Sequence, residues 1–135
     1  MAKVIIFTNE TGNVSICYPT GELSVEEVQA KDTPEGSIIV EEDDLPNEDK
    51  DFFNAWVLND GVVSVDLDDA KTLAKSRLRT AREPLLVEQD VAFQRALETS
   101  ADTTAIVAEK QRLRDITALV DEATTLNKIR AIKVK

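Results

Sequence analysis

From Asp66 to Val120 apolar residues return every three or four positions, a spacing that commits the second half of the chain to amphipathic helix. Ala70, Leu73, Ala74, Leu78 and Ala81 share one helical face, with Arg77 at the same spacing. Leu85, Leu86, Phe93, Ala96 and Leu97 carry the stripe onward, and Ile106, Leu113, Ile116 and Val120 form another. Thr99–Thr103 (TSADT) is turn material, with Ser100 or Asp102 available to cap the next helix. Pro84 lacks a backbone donor and crowds the preceding turn, so it either kinks one long helix or starts a new one. A connection of about five residues makes the two helices antiparallel neighbours. Their apolar stripes are narrow and their flanks charged, the pattern of helices that bury a second side against another subunit. A turn near Thr124 precedes a short last run containing Ile129 and Ile132.

The first 66 residues are of another kind. Lys3–Thr8 is β-rich, Asn9–Asn13 is a turn, and Val14–Tyr18 alternates apolar and polar, which predicts a hairpin. Ser24 with Glu27 fits a capping box and predicts a short helix over Val25–Lys31. A strand is expected at Ser37–Val40, a surface loop at Glu41–Asp51, and a second hairpin around Asn59-Asp60-Gly61 with Val62–Val65 as its return. Asp66, Asp68 and Asp69 then sit where a helix begins and favour its positive end. The expected fold is α+β: a small N-terminal antiparallel β domain over residues 1–66, followed by a C-terminal extended helical hairpin over 67–135.

Charge divides at the same seam. Residues 1–66 hold 15 acidic against 3 basic side chains, a balance of −12, while residues 67–135 hold 11 against 13, a balance of +2. An acidic front half argues against nucleic acid as a partner, because phosphate contacts require Lys and Arg. No apolar run approaches the roughly 20 residues that span a bilayer, and the N-terminal MAKVIIFTNETG reads as a strand, too short in its apolar part for a signal peptide. The single cysteine, Cys17, excludes an internal disulfide and fits a reducing compartment.

Candidate chemistry is thin. Histidine is absent, which removes the commonest general base and metal ligand. Glu41, Glu42, Asp43 and Asp44 lack the spacing and the turn glycine of a calcium loop, and Asp66, Asp68 and Asp69 are explained by capping. Cys17 lies between Ile16 and Tyr18 without an electropositive neighbour to make a thiolate. The four glycines are scattered, so no phosphate loop is present. Arg77, Arg79, Arg82, Arg112 and Arg114 have Glu83, Glu109 and Asp115 close by, which suits ion pairing along or between helices. No catalytic, cofactor-binding or metal-binding residue is assigned, and an enzyme is not expected. Protein contact is the expected business of this chain. The candidates are Leu85, Leu86, Phe93, Leu97, Ile106, Leu113 and Ile116 on the helices, and Phe52, Phe53 and Trp56 in the front half. Those three aromatics serve either as the core of the small β domain or as an exposed anchor for a partner.

Three elements in the helical half carry a resemblance. They are R-x-x-R-x-P-L-L from Arg79 to Leu86, D-V-x-F-x-R-A-L-E from Asp90 to Glu98, and K-Q-x-L-R-D-I from Lys110 to Ile116. With FTNETGNVSICYPTGE, TPEGSIIVEEDDLP and DFFNAWVLNDGVVSVDLDDAK before them, they make the whole chain resemble small tail-associated proteins of tailed bacteriophages. The resemblance implies a structural component of the tail, a small adaptor or fibre-associated subunit. Its alternative is a tail or tail-fibre assembly chaperone that does not stay in the virion. Expected partners are other tail or fibre proteins and further copies of the chain, with no cofactor, nucleic acid or membrane. The expected location is the virion tail, after synthesis in the host cytoplasm.

Overall fold

The computed structural model describes residues 2–135, which divide into two compact units, the first ending at Ala70 and the second running over Lys71–Lys135. The division falls a helical turn beyond the charge seam, because the helix that leaves the first unit begins inside it. Strands and short helical pieces come first and long helices follow, a mixed α and β fold.

In the first unit, β1 (Lys3–Thr8) is the centre of a three-stranded antiparallel sheet. It pairs on one side with β2 (Val14–Cys17), placing Ile6 opposite Ile16, and on the other with β3 (Ile38–Glu41), placing Val4 opposite Val40. The β1–β2 turn is held by Asn9, whose side-chain oxygen accepts from the Thr11 and Asn13 amides at 3.0 and 3.2 Å. Alternation divides the sheet's side chains. Val4, Ile6 and Val14 face a core completed by Leu45, Trp56 and Val63. Helix α1 (Val25–Asp32) packs on β1 and β3. The Ser24 hydroxyl accepts the Glu27 amide at 3.2 Å, and Val28 is buried. A second sheet, β4 (Trp56–Asn59) with β5 (Val62–Val65), closes the core. Its two-residue turn has positive φ at both Asp60 (51°) and Gly61 (80°), the geometry that matches strand twist and that Asp-Gly adopts at low cost.

The acidic stretch Glu41–Asp51 differs from the expected surface loop. It winds into 3₁₀ turns at Glu42–Asp44 and Asn47–Ala55, the second interrupted at Asp49 and Phe52. Leu45 is the reason: it is buried among the core residues and pulls its polar neighbours against the sheet. The Asn47 amide group donates to the Glu42 carbonyl at 2.9 Å, and the Trp56 indole N–H donates to the Asp49 carbonyl at 3.1 Å.

Helix α2 (Leu67–Glu98) begins where the aspartates sit, with the Asp66 carboxylate accepting the Asp68 amide at 3.0 Å. It runs through Pro84 as one helix, so Pro84 does not begin a new one. Helix α3 (Thr104–Glu122) and the short α4 (Leu126–Arg130) follow, the latter capped by the Thr125 hydroxyl on the Lys128 amide. Between α2 and α3 the two capping candidates take different jobs. Ser100 has φ 57° and ends α2: its amide donates to the Leu97 carbonyl at 3.3 Å and the Ala101 amide to the Ala96 carbonyl at 2.8 Å. This is a Schellman ending with serine where glycine is usual. Asp102 opens α3, accepting the Thr104 amide at 3.0 Å and the Thr104 hydroxyl at 2.7 Å.

Candidate interaction surface on the helical unit

Side chains that cross from α2 to α3 follow a fixed order. The Lys75 ammonium pairs with the Asp121 carboxylate, and Lys71 donates to the Asp121 carbonyl at 3.0 Å. Arg82 donates to the carbonyls of Leu113 and Arg114 at 3.2 and 3.0 Å. Lys110 meets Asp90 at 2.7 Å, with its ammonium 5.1 Å from the centre of the Phe93 ring. Residue numbers rise along α2 as they fall along α3. The three elements noted in the sequence meet here: Arg82 comes from the first, Asp90 and Phe93 from the second, and Lys110 and Leu113 from the third.

Burial is confined to part of this unit. Ala74 and Leu78 on α2, Leu113, Ile116 and Val120 on α3, then Ala123 and Ile129, are buried. Leu113, Ile116 and Val120 recur at three- and four-residue intervals and so share one face. From there to the α2–α3 turn the core thins out. No residue of α2 between Leu78 and Ala96 is buried, and none of α3 before Leu113. Leu85, Leu86, Phe93 and Ile106 are only half-buried there. Val87 and Val91, one turn apart on α2, are 53% and 45% exposed, with Leu97 at 54% and Val107 at 51%. Isolated exposed apolar residues are ordinary; here Val87, Val91, Leu97 and Val107 all fall on the stretch of α2 and α3 where burial is thinnest.

The expected contact residues therefore separate. Leu113 and Ile116 are each 1% exposed, so they belong to the core of their own unit and present nothing to a partner. Phe52 and Trp56 are likewise buried, at 3% and 1%, and serve the core of the first unit, while Phe53 is half-buried with its ring edge-on to Trp56 at 4.9 Å between centroids. Leu85, Leu86, Phe93 and Ile106 have one side covered and one open, and Leu97 is open. Val87, Val91 and Val107 were missed by the sequence reading. The signal was the four-residue step from Val87 to Val91 beside the main stripe.

Electrostatics act at the start of α3 and again within it. Hydrogen bonds from the Thr104 hydroxyl and amide hold the Asp102 carboxyl below its ordinary 3.8. The Arg112 guanidinium donates to both Glu109 oxygens, at 2.6 and 3.0 Å, holding Glu109 below its ordinary 4.5 and raising Arg112 in turn. Arg112 also donates to the Val134 carbonyl at 2.7 Å, tying the final residues to α3. Among the described residues no group of three His, Cys, Asp or Glu side chains is placed to hold a metal ion. No helix among them is long and apolar enough to cross a membrane. In comparison with known proteins, no family model, no curated sequence and no solved structure matches this chain.

Proposed function

We propose that this chain is a structural subunit of a bacteriophage tail, a small adaptor or fibre-associated protein that works through protein contacts alone. In this reading α2 and α3 act as an extended antiparallel hairpin. The end of it nearest the turn is completed by neighbouring tail or fibre proteins, or by further copies of the chain. It operates in the virion tail, after synthesis in the host cytoplasm. The observation that carries this reading is the run of α2 between Leu78 and Ala96. It holds Leu85, Leu86, Val87, Val91 and Phe93 and buries none of them. Helices in proteins gain most of their stability from packing an apolar face, and here that packing is half supplied. The resemblance of the three sequence elements to tail-associated proteins supplies the setting.

The second reading is a tail or tail-fibre assembly chaperone. It is favoured by the balance of −12 on residues 1–66, a field that keeps a carrier of a sticky client from self-association. Mass spectrometry of purified particles separates the two. A subunit is recovered at a fixed ratio to the other tail proteins. Absence from the particle, with recovery in a complex with the unassembled client, sinks the subunit reading and leaves the chaperone. Absence from both sinks the two together.

A further inference from the structure

Helix α2 carries a second seam on the side away from α3. Leu73, Thr80 and Val87 are seven residues apart, and Arg77, Pro84 and Val91 interleave with them at the same interval. Alternating steps of four and three are the spacing of a helix packed against one other helix. At about 3.6 residues per turn, Val87 lies half a turn round α2 from the buried Leu78. Arg77, Thr80, Pro84, Val87 and Val91 are exposed, and Leu73 is half-buried.

Charge along α2 says what covers this seam. Residues 71–82 hold five basic side chains and no acid, while residues 83–98 hold four acids and one Arg. A parallel second copy would set like halves side by side. An antiparallel copy sets the basic half of each helix against the acidic half of the other, a gain made twice by symmetry. It also starts the two helices at opposite ends of the pair, so the acidic stretches ahead of them, −12 each, do not begin side by side. Register follows from the same residues. Setting Leu73 opposite the second copy's Val91 brings Pro84 opposite Thr80, and Arg77 beside Val87 and Glu88. Glu88 is exposed and joins no ion pair or hydrogen bond among the described residues.

We infer that α2 pairs antiparallel with α2 of a second copy of this chain along the seam from Leu73 to Val91, the Arg77 guanidinium of each copy meeting the Glu88 carboxylate of the other. The inference rests on the contact face proposed above and names its occupant; it does not depend on the phage setting.

The full chain is followed by sedimentation equilibrium across concentration, with circular dichroism checking the fold of each variant. The expected state is a reversible dimer. Val87→Asp with Val91→Asp should leave a monomer. Arg77→Glu and Glu88→Arg should each weaken the dimer about tenfold, since each reverses two symmetry-related pairs. Combined, they should restore it. Residues 77 and 88 are roughly 16 Å apart along one helix and do not pair within a copy, so the rescue reports contact between copies. Direction is read from a spin label on Gln94→Cys, an exposed position beyond the seam, in a Cys17→Ser background. Antiparallel pairing puts the two labels roughly 36 Å apart along the helices, and parallel pairing puts them side by side. The inference is overturned by a chain that is monomeric at every concentration, by a dimer that survives the two aspartates, by a combined variant that does not recover, or by a short label distance. A monomeric chain still recovered in particles removes the inference and leaves the tail reading. A dimeric chain absent from particles does the reverse.

Discussion

Lys110 on α3 reaches across to Asp90 on α2 at 2.7 Å and lies 5.1 Å from the Phe93 ring centre, so one side chain joins two positions a turn apart on the facing helix. The Lys110 side chain is mostly covered, at 17% exposure, while Asp90 is 60% exposed. The Coulomb gain is therefore screened, and most of the value of Lys110 lies in its stem and its seat on the ring. Asp90→Asn should lower stability by about 0.2–1 kcal/mol. Lys110→Ala should cost more, by a further ~0.5–1 kcal/mol for the lost cation–ring contact. Urea denaturation of the two variants and their double checks the order. A larger loss from Asp90 than from Lys110 contradicts it.

Leu113 and Ile116 should behave as core residues. Replacing either with Ala should destabilise the protein by about 2–5 kcal/mol, the range for aliphatic truncation in a packed interior. Exposed apolar positions on the same unit should not: Val87→Ala and Val107→Ala should stay within about 0.5 kcal/mol. Thermal melts of the four variants make the comparison.

That contrast shows what was legible in the sequence. Helical period placed α2 and α3 and the aspartates placed the start of α2, because these signals are local. The Asp60-Gly61 turn was legible for the same reason: two positive φ angles demand such residues. Period alone did not say which stripe is covered. Leu113 and Leu97 read alike in sequence, yet one is buried and the other open, since burial depends on what lies opposite. The acidic segment around Leu45 was misread because one buried leucine outweighed the polar residues around it. Of the two cap candidates, Asp102 takes the start of α3 and Ser100 does not, because the left-handed φ of Ser100, a role common for glycine, follows from the hydrogen bonds ending α2.

Acid should loosen α3 at its N-terminal end. Asp102 and Glu109 are held below their ordinary 3.8 and 4.5 by the hydrogen bonds they accept in the folded protein. Their stabilisation is complete above those values and is lost as pH falls through the lowered ones. Far-UV circular dichroism at a temperature near the midpoint of unfolding should show helicity falling on the acid side of about pH 4. Asp102→Asn keeps an acceptor oxygen without the titration, so that part of the fall should disappear.

Pro84 sits inside α2 with no amide to give the Thr80 carbonyl. Both residues are exposed, so water answers part of the loss. Pro84→Ala should restore the bond and raise stability by about 1–3 kcal/mol, within the ~3 kcal/mol that proline costs a helix interior. A denaturation midpoint that falls would show that the proline fits a conformation alanine does not favour.

The central claim is that the exposed side of α2 near the turn is completed by another protein. Val87→Asp with Val91→Asp places two charges on that side and replaces no buried residue. The direct measurement is the amount of this double variant recovered in purified particles, relative to wild type, by quantitative mass spectrometry. Its fold is checked first by its melting curve. The expected result is a normally folded protein that is depleted at least tenfold from the particle. A normally folded variant recovered at the wild-type ratio contradicts the account.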